Sequence, residues 1–300
     1  MRSWIAVWLV LLCWMTLLAE GRAGPSRADV VFFALGDQGS GSEDQRRVAQ
    51  AMERVAARSG GVDFVLLLGD NFYPDGVVSV RDPQWQTKFE QIYTGPILDG
   101  TPFYPIIGNH DARSSVEAQV EYGQKRHGSG RWRMGGRNGL LDQGGGADGK
   151  RPLVRLVLLD ATLSLAEQNR FLQASFVPSS AQPVWRLVAS HYPLRSSGAH
   201  GDSKELLNDF LPALRSVGVD VHLSGHDHHL ELLRPPGEPV YVVSGAGGFS
   251  LYPLKNRRPW SEFVARKYGF VRVAVTRAVL ELTFYDDRAN QLHRMAINRR

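Results

Sequence analysis

Two histidines, His226 and His228, stand two residues apart in Ser224-Gly225-His226-Asp227-His228, directly after the valine-rich run Val217 to Leu223. Two imidazoles so spaced in a strand-end loop can turn to two neighbouring metal ions, and rigid sheets build sites in such loops. Alone, the pair fits a plain loop equally well. Four other apolar runs end in the same kind of chemistry: Asp37; Asp70 with Tyr73; Asn109 with His110; and His191. Carboxylates, a phenol, an amide oxygen and imidazoles suit hard and borderline metals. The lack of thiolates argues against a structural zinc. The set is large enough for two metals sharing one carboxylate. Two metals about 3.5–4 Å apart clamp the attacking and leaving oxygens of a displacement at phosphorus.

The elements that must position these groups are legible from the pattern. Val30 to Leu35, Phe64 to Leu68, Phe103 to Ile107, Val154 to Leu159 and Val184 to Ala189 read as buried strands. Ser42 and Gln45 have capping-box spacing ahead of a helix whose Val48, Met52 and Val55 share one face, and Gly60-Gly61 ends it. Asp82-Pro83 starts a helix with Trp85, Phe89 and Ile92 as its stripe. A further helix is expected from about Ser115 to His127, and Ser164 with Glu167 caps another. Leu206, Leu207, Phe210 and Leu214 mark a helix kinked or restarted at Pro212. The second half turns β-rich. His229 to Leu233 and Val240 to Ser244 flank Pro235-Pro236-Gly237, Phe270 to Val275 and Val279 to Phe284 form a hairpin, and Leu292 to Ile297 adds an edge. Alternating β and α units followed by strand pairs give an α/β (α+β) chain of sheets covered by helices. Gly128 to Arg151 reads as a mobile surface loop with a short strand near Trp132, its arginines 131, 133 and 137 solvated or, for one of them, reaching substrate.

Gly36-Asp37-Gln38-Gly39, Gly69-Asp70-Asn71-Phe72-Tyr73, Gly108-Asn109-His110-Asp111, Ser190-His191-Tyr192-Pro193 and Gly225-His226-Asp227-His228 resemble, in order, the five blocks of the calcineurin-like metallophosphoesterases. Tyr73, three residues after Asp70, resembles the purple acid phosphatase branch, and Val243 to Gly248 resembles its small, tartrate-resistant type. The likeness covers about Val30 to Phe284. It implies a four-layer αββα sandwich, two mixed sheets flanked by helices. It also implies a ligand set: Asp37, Tyr73 and His228 on Fe(III), Asp70 bridging, and Asn109, His191 and His226 on Fe(II), Zn or Mn. The implied activity is acid hydrolysis of phosphate monoesters by attack of a metal-bound hydroxide. His110 and His200 would protonate the leaving oxygen or hold the phosphate, His200 because it lies nine residues after His191 as the outer histidine does in small members. The phenolate has a physical rationale: free tyrosine has a pKa near 10, so only a strongly acidic metal deprotonates it at mild pH.

The chain has 300 residues, 43% hydrophobic and 22% charged, with a net charge of +5 and arginine outnumbering lysine. That is ordinary globular composition, and the charge reads first as solubility. Arg2, the apolar run Trp4 to Leu18 and small residues at Ala19, Gly21 and Ala23 read residues 1–23 as a signal peptide cleaved after Ala19 or Ala23, with an uncleaved anchor as the alternative. Residues 24–300 then form one catalytic domain, secreted or periplasmic. With Cys13 in the leader, the mature chain has no thiol nucleophile or thiolate metal site. RNA-binding signatures are absent, so the expected partner is a small phosphorylated substrate, with no nucleic acid, no stable membrane anchor once the leader is cleaved, and a monomer.

The runner-up function is a phosphodiesterase or nucleotide pyrophosphatase at the same two metals. A binding protein would not need Asn109, His110 and His200 together, and a redox side activity would need a mixed-valent iron pair. Asp111 either orients His110 or is solvated. His229 alternates away from His228, and His127, His222 and His293 read as structural or surface residues. The resemblance also predicts differences from the small mammalian-type enzymes. Only Ala161 to Leu165 follows the strand ending at Asp160, so no repressive cleavable loop is expected there. The extra length lies at Gly128 to Arg151, where it could set substrate preference. No amino-terminal sandwich domain is expected before Val30.

Overall fold

The computed structural model describes residues 28–145, 151–177 and 181–299; the expected signal peptide lies outside the described residues. The first half runs β1 (Val30–Leu35), α1 (Glu43–Arg58), β2 (Phe64–Leu67), β3 (Phe103–Pro105), α2 (Val116–Gln124), β4 (Gly139–Gln143), β5 (Val154–Leu158), α3 (Leu165–Ala174) and β6 (Trp185–Ala189). The second half runs α4 (Lys204–Asp209), α5 (Leu211–Ser216), β7 (Val221–Ser224), β8 (Leu230–Leu233), β9 (Val240–Ser244), β10 (Ser261–Ala265), β11 (Gly269–Val275), β12 (Val279–Asp286) and β13 (Gln291–Asn298). These form two mixed sheets, ordered β13-β12-β11-β1-β2-β3 and β10-β8-β9-β7-β6-β5-β4.

Alternation along each strand divides its side chains between two covered faces. In β1, Phe32 and Ala34 face the core between the sheets, beside Phe64, Leu66, Leu187, Leu223 and Leu282. Phe33 and Leu35 face the other way and pack with Val48, Met52 and Val55 of α1. On the far side, Val157 and Val188 pack against Leu172 of α3 and Leu214 of α5. The order is helices, sheet, sheet, helices. Both faces of the parallel strands are covered, which is why they read as unbroken apolar runs.

The caps behave as their chemistry dictates. The Ser42 side chain accepts from Gln45 N, and Ser164 with Glu167 makes both halves of a capping box. The expected helix after Asp82-Pro83 is a five-residue π turn, Gln86–Glu90. Its stripe is buried as expected, but Gly95, at φ 144°, turns the chain before a longer helix can form. The helical segment after Ser203 breaks at Phe210, and Pro212 sits in the first turn of α5.

Gly128 to Arg151 departs most from expectation. Residues 146–150 lie outside the described residues; at Trp132, where a short strand is expected, the chain is buried and makes an isolated parallel bridge to Phe103. Arg131 is buried too, 3.2 Å from Glu90, and β4 adds an edge strand antiparallel to β5. Arg137 binds Asp160 at 2.7 Å and Thr162 Oγ1 at 2.9 Å. Two of the three arginines read as solvated are therefore structural clamps.

Candidate metal centre

The strands β1, β2 and β3 run parallel, as do β5, β6, β7 and β9. Chain leaving the ends of β1, β2, β3, β6 and β7 converges at one edge of the sandwich. Asp37, Asp70 and His226 sit there in the left-handed backbone region, with φ of 57°, 53° and 65°. Non-glycine residues adopt that conformation at a cost, and such strain concentrates at functional sites. Close approach fixes a neighbouring glycine: a Cβ on Gly225 would lie 2.5 Å from Asp37 Oδ2.

The side chains of these loops meet. The Tyr73 hydroxyl lies 2.9 Å from Asp70 Oδ2, 3.0 Å from Asp37 Oδ1 and 3.2 Å from His228 Nε2. His191 Nε2 is 3.2 Å from Asn109 Oδ1 and 3.5 Å from Asp70 Oδ2. His228 Nε2 is 3.3 Å from Asp37 Oδ1. Ligand atoms of Asp37, Asp70 and His191 all fall within 4.8 Å of one another. The His226 ring packs edge-on to His191 at 5.1 Å. Asp70 therefore sits between a Tyr73 side and a His191 side.

Backbone groups hold the ligands from behind. His191 Nδ1 donates to Leu68 O at 2.8 Å and His228 Nδ1 to Ser250 O at 2.6 Å, so each presents Nε2 to the site. His226 N donates to Asp37 Oδ2 at 2.7 Å and His110 N to Asp70 Oδ1 at 2.8 Å. One oxygen of each carboxylate, Asp37 Oδ2 and Asp70 Oδ1, is thereby fixed, leaving Asp37 Oδ1 and Asp70 Oδ2 for ligation.

Charge accounts for the electrostatics. Burial opposes ionisation of Asp70, yet the His191 imidazole beside it holds it well below the usual carboxylate range. His191 is correspondingly raised to about 10 against its own burial, mainly by Asp70. His226 is lowered to about 3 by burial and by repulsion from His191 and His200. Burial, then Asp37 and Asp70, push the Tyr73 phenol far above its ordinary value. Among protein groups alone this tyrosine stays neutral, and a strongly acidic cation between these oxygens is what would make it a phenolate. Two buried carboxylates, a buried phenol and outward-aimed imidazole nitrogens fit a pair of cations, and loading them would displace protons from His191 and Tyr73.

His110 packs on the Tyr73 side of the cluster and His200 on the His226 side. His110 packs on Tyr73 with ring centroids 4.4 Å apart and donates from Nδ1 to Pro74 O at 2.5 Å. His200 stacks on His226 at 4.1 Å and donates from Nδ1 to Asp227 Oδ1 at 2.8 Å. Among the described residues, neither Nε2 makes a side-chain hydrogen bond.

The structure corrects one reading and adds residues that the sequence did not single out. Asp111 neither orients His110 nor meets solvent. It is buried, accepts from Gly108 N, Asn71 N and Gln119 Nε2, and is raised to about 7 by burial and by Asp70. It braces the loops that carry Asp70 and Asn109. His229 does turn away from His228, but it is buried against Glu231 at 3.0 Å. Phe249 stacks on Tyr73 at 3.9 Å and Tyr252 on His228 at 3.8 Å, forming aromatic walls around these two residues. Nothing local in the sequence marks these two; their role arises from a loop that returns from the second sheet. His222, read as structural, is buried on Ser190 Oγ at 2.8 Å and lowered to about 3 by burial.

Comparison with known proteins agrees with the geometry. Residues 25–230 match the family described as calcineurin-like phosphoesterase, and residues 238–293 match the iron/zinc purple acid phosphatase-like protein C region. Purple acid phosphatase 17 of Arabidopsis thaliana is 31% identical over 90% of this chain and 85% of its own. Tartrate-resistant acid phosphatase type 5 of Mus musculus is 28% identical over 100% of this chain and 99% of its own. Among solved structures, GAP50, the anchor in the inner membrane complex of Plasmodium, superposes with a TM-score of 0.79 at 20% identity, covering 91% of this chain and 90% of that one. Purple acid phosphatase PPD1 from yellow lupin gives 0.61 at 19% identity, covering 90% of this chain and 53% of that one. At these identities the structures speak for the fold alone. The chain belongs to the calcineurin-like phosphoesterases, in their purple acid phosphatase branch, and is a metal-dependent phosphoester hydrolase with a dimetal site.

Proposed function

We propose that the protein is an acid phosphatase acting on small phosphate monoesters, with Fe(III) held by Asp37, Tyr73 and His228, Asp70 shared, and Fe(II), Zn or Mn held by Asn109, His191 and His226. The observation that carries this reading is the Tyr73 hydroxyl, within 3.2 Å of two carboxylates and an imidazole. A phenol so placed is a ligand for a hard, trivalent ion rather than a packing residue. When bound, the pair of metals polarises the phosphoryl group and lowers the pKa of water enough to supply a nucleophile in mild acid.

The chain's own residues do the rest. Asp70, fixed through Oδ1 by His110 N, keeps the two half-sites at a constant separation. His110 and His200, each anchored through Nδ1, present Nε2 to the phosphate and to the leaving oxygen, where one of them delivers the proton. The aromatic walls of Phe249 and Tyr252 shield the tyrosine side from bulk water.

The test is a pH profile of kcat/KM for p-nitrophenyl phosphate beside bis(p-nitrophenyl) phosphate. An acid optimum with the monoester preferred is expected. Preference for the diester at neutral pH would replace this reading with the phosphodiesterase one. We further propose export, on the charged-then-apolar amino terminus. Among the described residues no helix is long and apolar enough to cross a membrane. Amino-terminal sequencing of the mature protein should find a start after Ala19 or Ala23, and an intact Met1 would contradict cleavage.

A further inference from the structure

The loop carrying His200 is held by two acids buried behind the metal centre, and neither belongs to the proposed ligand set. Asp227, between the two histidines of its block, has no exposed side-chain surface. Its Oδ1 accepts from both His200 N, at 3.1 Å, and His200 Nδ1, at 2.8 Å. Its Oδ2 accepts from the Ser196 hydroxyl. Four residues on, Glu231 accepts from Ser197 N at Oε2, 2.8 Å, and from Ser197 Oγ at Oε1, 2.5 Å, with His229 Nε2 3.0 Å from the same Oε2. The segment after β9 closes the loop from outside: Lys255 N donates to Ser197 O and Arg258 N to Ser197 Oγ, at 2.8 and 3.0 Å. Gly198 fits because its α-position is pressed between Asp227 and His229, with a Cβ there 2.6 Å from Asp227 Cγ.

His200 itself is about half exposed, with a side-chain accessibility of 46%, and the stack on His226 is its closest ring contact. An exposed imidazole so placed would sample several rotamers and both tautomers. The double acceptance at Asp227 Oδ1 removes that freedom. It places the proton on Nδ1, fixes the ring plane against His226, and leaves Nε2 as the unprotonated nitrogen.

We propose that Asp227 is the positioning residue for His200, setting its tautomer and orientation through a loop that Glu231 and Ser197 clamp in place. The proposal rests on the phosphatase reading for the role of His200, but the positioning itself is independent of it. Asp227 acts by accepting hydrogen bonds. Its amide counterpart, which accepts the same two bonds and can donate to Ser196, keeps most of the function, whereas removal of the acceptor does not.

The experiment compares wild type, Asp227→Ala, Asp227→Asn, Ser196→Ala and His200→Ala with glycerol phosphate, a monoester with a poor leaving group, and measures metal content alongside. Asp227→Ala should lower kcat about 10–100-fold with KM little changed, and Asp227→Asn should restore it to within about threefold of wild type. Asp227→Ala should cost nothing further in the His200→Ala background, and neither should Ser196→Ala, which leaves the carboxylate in place and stands in if Asp227→Ala does not fold. Independent, multiplying losses would overturn the proposal. So would loss of metal in Asp227→Ala, since Asp227 would then act through His226 and His228. A second readout needs no turnover: nitrogen NMR of the zinc-loaded enzyme should show His200 protonated at Nδ1 in wild type and Asp227→Asn, and mixed tautomers in Asp227→Ala. An unaltered tautomer in Asp227→Ala would overturn the positioning role. Failure of the wild-type enzyme to hydrolyse the ester would instead count against the phosphatase reading.

Discussion

The two sheets contribute different chemistry to one site. Every oxygen ligand of the proposed set, Asp37, Asp70, Tyr73 and Asn109, follows a strand of the sheet containing β1, β2 and β3. Every nitrogen ligand, His191, His226 and His228, follows β6 or β7 of the other sheet. The seam between them is stitched by hydrogen bonds that cross it. Gly36 N donates to Ser244 O, His191 Nδ1 to Leu68 O, and His226 N to Asp37 Oδ2. Neither sheet alone holds a complete coordination sphere, so the centre is a property of how the sheets dock. Docking depends on the apolar layer between them, which makes the site's geometry a consequence of core packing.

If that division is right, the largest effect comes from the group on which both halves converge. Asp70→Ala should reduce kcat/KM about a thousandfold or more, equivalent to about 4 kcal/mol of transition-state stabilisation, with metal content below two per chain. Full metal occupancy in this variant would break the shared-ligand account. Next come substitutions that loosen the seam without touching a ligand. Leu223→Ala, in the inter-sheet layer, should cost about 2–5 kcal/mol of stability by urea unfolding and weaken metal retention in parallel. Destabilisation with undiminished metal affinity would show that the half-sites are more independent than proposed.

Arg131→Ala supplies the contrast. It breaks a buried ion pair with Glu90 far along the chain from any proposed ligand, and should cost about 3–5 kcal/mol of stability while leaving the metal-loaded enzyme's kcat unchanged at low temperature. A proportionate fall in kcat would tie that segment to the site. His110→Ala should act the opposite way, lowering kcat about a hundredfold with stability and metal content intact. Smallest is Ser164→Ala, which removes a cap on α3 and should cost about 1 kcal/mol in thermal or urea unfolding, with no kinetic change.

The residues of the proposed set were legible because each lies within a few residues of the end of an apolar run, and short-range spacing survives in sequence. Asp70 and Tyr73 announce each other at three residues; so do His226 and His228 at two. The bracing around them is not local. Asp227 finds His200 across a loop, Glu231 finds Ser197, Phe249 finds Tyr73, and Asp111 turns inward to Asn71 and Gln119 instead of toward its neighbour His110. Such pairings depend on tertiary packing that no periodicity encodes. The edges of the first sheet, β13 and β3, were expected from sequence, whereas those of the second went unread for another reason. β4 and β10 are short, partly exposed strands in stretches rich in glycine, arginine and proline, where propensity argues against the pairing that a neighbouring strand imposes. Within Gly128 to Arg151, Arg131 was misread because arginine suggests solvent, whereas it is held by Glu90 and by the carbonyl oxygens of Tyr93 and Leu98.

The central claim, oxygen donors from one sheet and imidazoles from the other enclosing an Fe(III)–M(II) pair, is tested most directly by the visible absorption spectrum and metal content of the purified protein beside its Tyr73→Phe variant. The account predicts two metals per chain, at least one of them iron, and a broad visible band that Tyr73→Phe abolishes. A colourless protein carrying two zinc or manganese ions, or a band untouched by the substitution, would contradict it.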